Sequence, residues 1–126
     1  MSDESIDDLI YKVVGAAMKV HTGIGYGLRE KTYERALVVE LQYLGIRYSQ
    51  QSVYPVIYRG VKVDEYIPDL EVEETLIVDT KTIEAIGDNE LGQMLTYLRI
   101  TGKSNGLIIN FKHPSLQWRK VTLNAS

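Results

Sequence analysis

Apolar residues recur at helical spacing from the start of the chain. Ile6, Leu9, Ile10, Val13, Val14, Ala17 and Met18 fall at i, i+3 and i+4, which predicts a helix over residues 6–21 with one apolar face. Ser5 is placed to cap it, and Asp7 and Asp8 lie in its first turn, where the helix dipole favours negative charge. Gly23, Gly25 and Gly27 then break the pattern, and a second helix is expected over 28–44, with Tyr33, Leu37, Val38 and Leu41 inward and Gly45 at its end. Past Gly45 the period changes to two. Residues 47–59, 61–73 and 75–81 are rich in Val, Ile and Tyr and are separated by Arg59-Gly60 and Glu73-Glu74, which reads as a three-stranded antiparallel meander. A third helix over 88–101 is closed by Gly102, and strands over 105–111 and 116–122 flank a turn at His113-Pro114-Ser115. The order α, α, β, β, β, α, β, β predicts an α/β fold with a mixed central sheet flanked by helices, the first helix being an addition to its core. Without a repeat or linker, residues 1–126 are expected to form one domain.

Composition removes several kinds of chemistry. There is no cysteine among the 126 residues, so disulfides, cysteine-ligated zinc and a thiol nucleophile are excluded. At 44% hydrophobic and 25% charged, the chain has the balance of a folded globular protein. No apolar run approaches the roughly 20 residues of a bilayer span. The beginning, Met1-Ser2-Asp3-Glu4, has the wrong sign for a secretory or transit signal, so a cytoplasmic protein with no membrane partner is expected.

The net charge of −3 argues against a basic protein that coats nucleic acid through many phosphate contacts. It is unevenly distributed. Residues 1–63 carry eight Lys/Arg against seven Asp/Glu, whereas residues 64–126 carry six against ten. All ten of those acids lie between Asp64 and Glu90, and Lys81 is the one base among them.

Strand alternation puts Ile77, Asp79 and Lys81 on one side of the 75–81 strand and Leu76, Val78 and Thr80 on the other. Asp79 and Lys81 are then about 6.6 Å apart at Cα, at roughly 3.3 Å per residue. Asp69, ten positions before Asp79, can sit beside it across a short turn. Two carboxylates and an ammonium in a small volume suit Mg²⁺-assisted phosphodiester hydrolysis, because Mg²⁺ takes one or two carboxylates and completes its shell with water and phosphate oxygens. A lysine beside the ion can position the attacking water and stabilise the developing anion. The alternative is an exposed Asp79–Lys81 pair worth roughly 0–1 kcal/mol. Against it, Leu76-Ile77-Val78 look like a strand entering the core, where a charged pair is costly unless it is used or paired.

Pro68-Asp69, followed after nine residues by Asp79-Thr80-Lys81, resembles the PD-(D/E)XK nuclease signature, and the predicted elements resemble that superfamily's restriction-endonuclease-like αβββαβ core. Gly27-Leu28-Arg29-Glu30-Lys31-Thr32-Tyr33 fits the GxxExxY motif that names a prokaryotic group within it, and the loop from His21 to Gly27 is similar to the stretch those proteins carry ahead of the motif. Gln93-Met94-Leu95-Thr96-Tyr97 is similar to the QxxxY motif of RecB-type nuclease domains. The resemblance covers about Ile10 to Val121. It implies Mg²⁺ or Mn²⁺ as cofactor, nucleic acid as partner (DNA before RNA), Asp69, Asp79 and Glu30 as metal ligands, and Lys81 as the catalytic lysine. Gln93 and Tyr97 would support the site or contact DNA, and Tyr33 and His21 would support it further. Asp79 stands where the group usually has Glu, and Tyr26 where it often has proline.

Other readings stay open beside this one. Tyr33 and Tyr97 suit a core position equally, and His21 suits a helix end. His21 and His113 lack partners at triad spacing. Trp118 is expected in the core or at an interface. Lys103, Lys112, Arg119 and Lys120 offer either phosphate contacts or a solvated face. A non-catalytic member that binds nucleic acid or protein, and a structural homodimer subunit joined through strands rich in the chain's nine tyrosines, are the competing functions; a nuclease this small has little surface with which to select a site, so a homodimer is expected in either case.

Overall fold

A computed structural model describes residues 5–124. Its elements are α1 (Ile6–Ile24), α2 (Glu30–Tyr43), β1 (Tyr48–Ser49), β2 (Tyr54–Tyr58), β3 (Val61–Tyr66), β4 (Leu70–Val72), β5 (Leu76–Lys81), α3 (Asp88–Thr101), β6 (Asn105–Asn110) and β7 (Gln117–Thr122). Ser5 caps α1 as expected, its hydroxyl accepting from the Asp8 amide at 3.1 Å. The helix runs past His21 because one interior glycine, Gly23, costs only about 1 kcal/mol. It stops where the Gly25 amide turns back to the His21 carbonyl at 2.9 Å. α2 starts two residues later than the pattern suggests. Arg29 is extended, and the Leu28 amide donates to the Tyr33 hydroxyl (3.2 Å) instead of joining a helix.

The expected three-stranded meander is corrected. Each of its first two strands breaks in the middle, at residues 50–53, which are largely polar, and at Ile67-Pro68-Asp69, where proline brings no amide donor. The inner halves form a separate antiparallel hairpin, β2–β3, while the outer halves join the main sheet in the order β1-β4-β5-β6-β7. β5 and β6 are parallel, connected through α3, and the other pairs are antiparallel. The sheet is therefore mixed, as expected.

Helices cover both faces. α1 and α2 close over Leu70, Val72, Leu76, Val78, Leu107, Ile109 and Phe111. α3 contributes Met94 and Leu98 to the other side, against Ile77, Ile108 and Val121. Alternation along β5 thus holds as read: Ile77 faces α3, and Leu76 and Val78 face α1 and α2. Met18, expected on the inward stripe, is exposed because α1 is not covered there, and Trp118 is exposed as well, which removes the core half of its expected placement.

α3 lies close to the sheet because Gly106 has no side chain. A Cβ there would come within 2.7 Å of Met94 Cγ. Gly106→Val is expected to cost roughly 2 kcal/mol by overpacking, read as a lower chemical denaturation midpoint, with Met94→Ala on the same chain recovering part of it. An unchanged midpoint would mean that the helix stands further off than described.

Candidate active site

The carboxylates meet because of the sheet register. Leu70 pairs with Val78 across β4 and β5, so the next position outward sets Asp69 opposite Asp79. Asp69 lies just ahead of β4 rather than inside a strand, held by its own hydrogen bonds. Its Oδ2 accepts from the Thr80 amide at 3.0 Å and the Thr80 hydroxyl at 3.2 Å. Thr80, to which the sequence analysis gave no role, is thus the clamp on Asp69.

Asp79 is largely buried, at 14% side-chain exposure, and its carboxylate lies 3.3 Å from Lys81 Nζ. Burial pushes its pKa up, the adjacent Asp69 carboxyl pushes it further, and Lys81 pulls it back, leaving it at about 7. Burial alone would depress Lys81, but Asp79 and Glu30 outweigh it and hold the ammonium above its ordinary range. Glu30 opens α2 and reaches the C-terminal end of β5, where the Thr82 amide bonds to it. Burial raises its pKa, Lys81 opposes that rise, and Asp69 adds to it.

α3 supplies the opposite wall. Gln93 Oε1 stands 3.5 Å from Lys81 Nζ, the outer limit of a hydrogen bond. Tyr97, one turn on, has a raised pKa through burial and then through Asp79. Its ring stacks on Tyr66 at 4.0 Å between centroids and 13° between planes. Burial drives the Tyr66 pKa upward as well, followed by Asp79. Sequence reasoning missed Tyr66. The one signal was its place three residues before Asp69, at the end of a strand assigned to the wrong sheet.

Tyr33 and His21 stand behind the site. The Tyr33 hydroxyl donates to the Gly25 carbonyl at 2.8 Å and accepts from Leu28, which ties the glycine loop down just before Glu30. Its ring stacks on Phe111 at 4.6 Å, and the Phe111 amide donates to the Lys81 carbonyl at 2.9 Å. His21 is buried, its Nε2 donating to the Phe111 carbonyl at 3.2 Å. Both residues brace the loop and strand that carry Glu30 and Lys81.

Among the described residues no group of three or more His, Cys, Asp or Glu side chains could hold a metal ion. As the side chains stand, Asp69, Asp79 and Glu30 are not gathered around one point, although Glu30 is close enough to feel the charges of Asp69 and Lys81. The pair Asp69–Asp79 remains. Two abutting carboxyl groups, one held near pKa 7 by burial and by its neighbour, repel each other once both ionise. A hard divalent cation relieves that repulsion and needs only one or two carboxylates from the protein. The residues present fit such an ion.

No curated protein matches the chain. Among solved structures it is similar to the crystal structure of an alkaline exonuclease (LHK-Exo) from Laribacter hongkongensis, at 11% identity, with a TM-score of 0.56 over 98% of this chain and 73% of that one. At that identity the likeness is one of fold. The family model of the PD-(D/E)XK nuclease superfamily, whose members generally use divalent metals, matches residues 7–121. That match spans the GxxExxY loop, both aspartates, the lysine and α3, and with it the chain belongs to the PD-(D/E)XK nuclease superfamily.

Proposed function

We propose that the protein is a divalent-metal-dependent nuclease of the GxxExxY group that hydrolyses DNA phosphodiester bonds. The observation that carries this is the convergence of buried Asp79, Asp69 and Lys81 at the C-terminal end of β5. Asp69 and Asp79 would hold Mg²⁺ or Mn²⁺. When bound, such an ion supplies a water of lowered pKa and neutralises phosphate charge.

The chain's own groups do the rest. Thr80 fixes Asp69, so the pair is oriented before any ligand arrives. Lys81, kept protonated by Asp79 and Glu30, faces the position where negative charge grows on the phosphoryl oxygens. Gln93 borders the lysine on the exposed side and can orient it or a water. Glu30, its pKa raised, is the spare carboxyl nearest the lysine and can accept the proton from the attacking water.

Labelled single- and double-stranded DNA and RNA, incubated with Mg²⁺ or Mn²⁺, test the proposal. Wild type is expected to cleave DNA only with metal, and Asp79→Asn to be inactive. Equal behaviour of the two proteins on every substrate would reject it.

A further inference from the structure

The β2–β3 hairpin is built at odds with its turn. Tyr58 pairs with Val61, so Arg59 and Gly60 form a two-residue loop, both at positive φ (49° and 78°). Loops of this kind favour Asn-Gly or Gly-Gly, because a long side chain at positive φ is strained. Two other non-glycine residues share that region, Glu73 and Glu74. For Glu73 a compensation is visible: its carboxylate accepts from the Arg47 amide at 2.9 Å and from the Arg47 guanidinium at 2.9 and 3.1 Å. Arg59 has none. Among the described residues its guanidinium has no carboxylate partner, and it lies over the neighbouring Tyr58 ring, 5.7 Å from its centroid.

The arm's other charges are occupied. Lys62 pairs with Glu65 at 2.5 Å, and the Asp64 carboxylate accepts from the Glu65 amide at 2.7 Å. Around Arg59 the tip is apolar, with Tyr58 64% and Val61 61% exposed. It is also continuous with the carboxylate site. Tyr54 and Tyr66 are paired and so lie on one face, to which Tyr58 returns by strand alternation. From Tyr66, stacked on Tyr97 beside Asp79, the arm runs to Val61 across a register shift, so its length is that of the four steps from Tyr54 to Tyr58 on the partner strand. That is about 14 Å at roughly 3.4 Å per residue, the length of roughly four stacked nucleotides.

We infer that this arm is a contact for single-stranded nucleic acid leading into the site, with Arg59 bound to a backbone phosphate and the Tyr58 ring stacked on a base. The inference rests on the nuclease reading for the direction of the strand, and deepens it by naming the substrate class. A guanidinium without a carboxylate partner, set beside an exposed aromatic ring, is the combination that single strands meet on stacking surfaces. The positive φ keeps Arg59 at the tip at the expense of turn stability.

The test uses full-length Asp79→Asn protein without metal, so that binding is read apart from cleavage. Fluorescence anisotropy with labelled oligo(dT) and a matched duplex follows affinity. Tyr58→Ala and Arg59→Asn are each expected to weaken oligo(dT) binding roughly tenfold and to affect duplex binding less. Arg59→Asn should also lower the salt slope by about 0.7. Because asparagine suits the turn, Arg59→Asn should raise the Tm by roughly 3 °C while it weakens binding, which separates contact from misfolding. Tyr11→Ala, far along α1, should change neither quantity. A raised Tm with unchanged oligo(dT) affinity would overturn the inference, as would equal losses on duplex. So would self-association through the arm, seen by light scattering and abolished by Tyr58→Ala. If wild type cleaves nothing yet the tip variants lose oligo(dT), the nuclease reading fails and the contact stands. If wild type cleaves and the tip variants bind normally, the reverse holds.

Discussion

Asp79→Asn is expected to remove metal-dependent cleavage by a hundredfold or more and at the same time to make the metal-free protein more heat-stable at neutral and alkaline pH. The second effect follows from the sign of the pKa shift. In the folded protein Asp79 is raised from 3.8 to about 7, by burial first and by Asp69 second. Between those values the folded chain holds a proton that the unfolded chain has released. The penalty of ionising Asp79 is therefore absent below the unfolded pKa, grows as pH rises, and is complete above the folded value. Asparagine has the shape of the protonated acid and no charge to desolvate. At about pH 8 the variant should melt several degrees above wild type, the gap closing as pH falls towards about 4. Adding Mg²⁺ should raise the Tm of wild type and leave the variant unmoved, since an ion bound only by the folded state stabilises it. Differential scanning fluorimetry across pH, with and without Mg²⁺, reads all of this. A variant less stable than wild type at alkaline pH would mean that Asp79 is not a strained carboxyl.

Lys81→Met should lower kcat by roughly a hundredfold to a thousandfold while the protein still binds its divalent ion. The ammonium lies 3.3 Å from Asp79 but is not a metal ligand, and its position suits charge that develops late in the reaction. Its loss also removes the group that pulls the Asp79 pKa down, so residual activity should need a higher pH than in wild type. Lys81→Arg, which keeps the charge in a different shape, is expected to recover only part of the rate. A Lys81→Met enzyme with normal kcat and pH profile would make the lysine a structural counter-ion.

The elements that rest on local pattern were legible. The apolar stripe of α1, the span of α3 up to Gly102, and the two sides of β5 all follow from side-chain period, and the Asp69–Asp79 proximity follows from a short connection between neighbouring strands. What was not legible depends on how segments partition between sheets. Val and Tyr continue through residues 54–66 with nothing in their alternation to say that this stretch leaves the main sheet, and the interruptions at 50–53 and 67–69 are short. With the hairpin misassigned, the Tyr66–Tyr97 stack had no basis. Glu30 is a similar case. Its place on the helix before the sheet follows from the motif, but whether it shares one ion with two aspartates depends on side-chain reach, which spacing does not decide. His21 and Tyr33 were noticed for their motif, and the structure gives them a bracing role around Phe111.

The central claim is that Asp69 and Asp79 together hold a divalent cation. Crystals soaked in Mn²⁺ and measured for anomalous scattering test it most directly. The account predicts one strong Mn²⁺ peak between the two carboxylates, within coordinating distance of both, and no such peak in Asp79→Asn crystals. A wild-type site that stays empty under Mn²⁺, or a peak that persists in the variant, would contradict it.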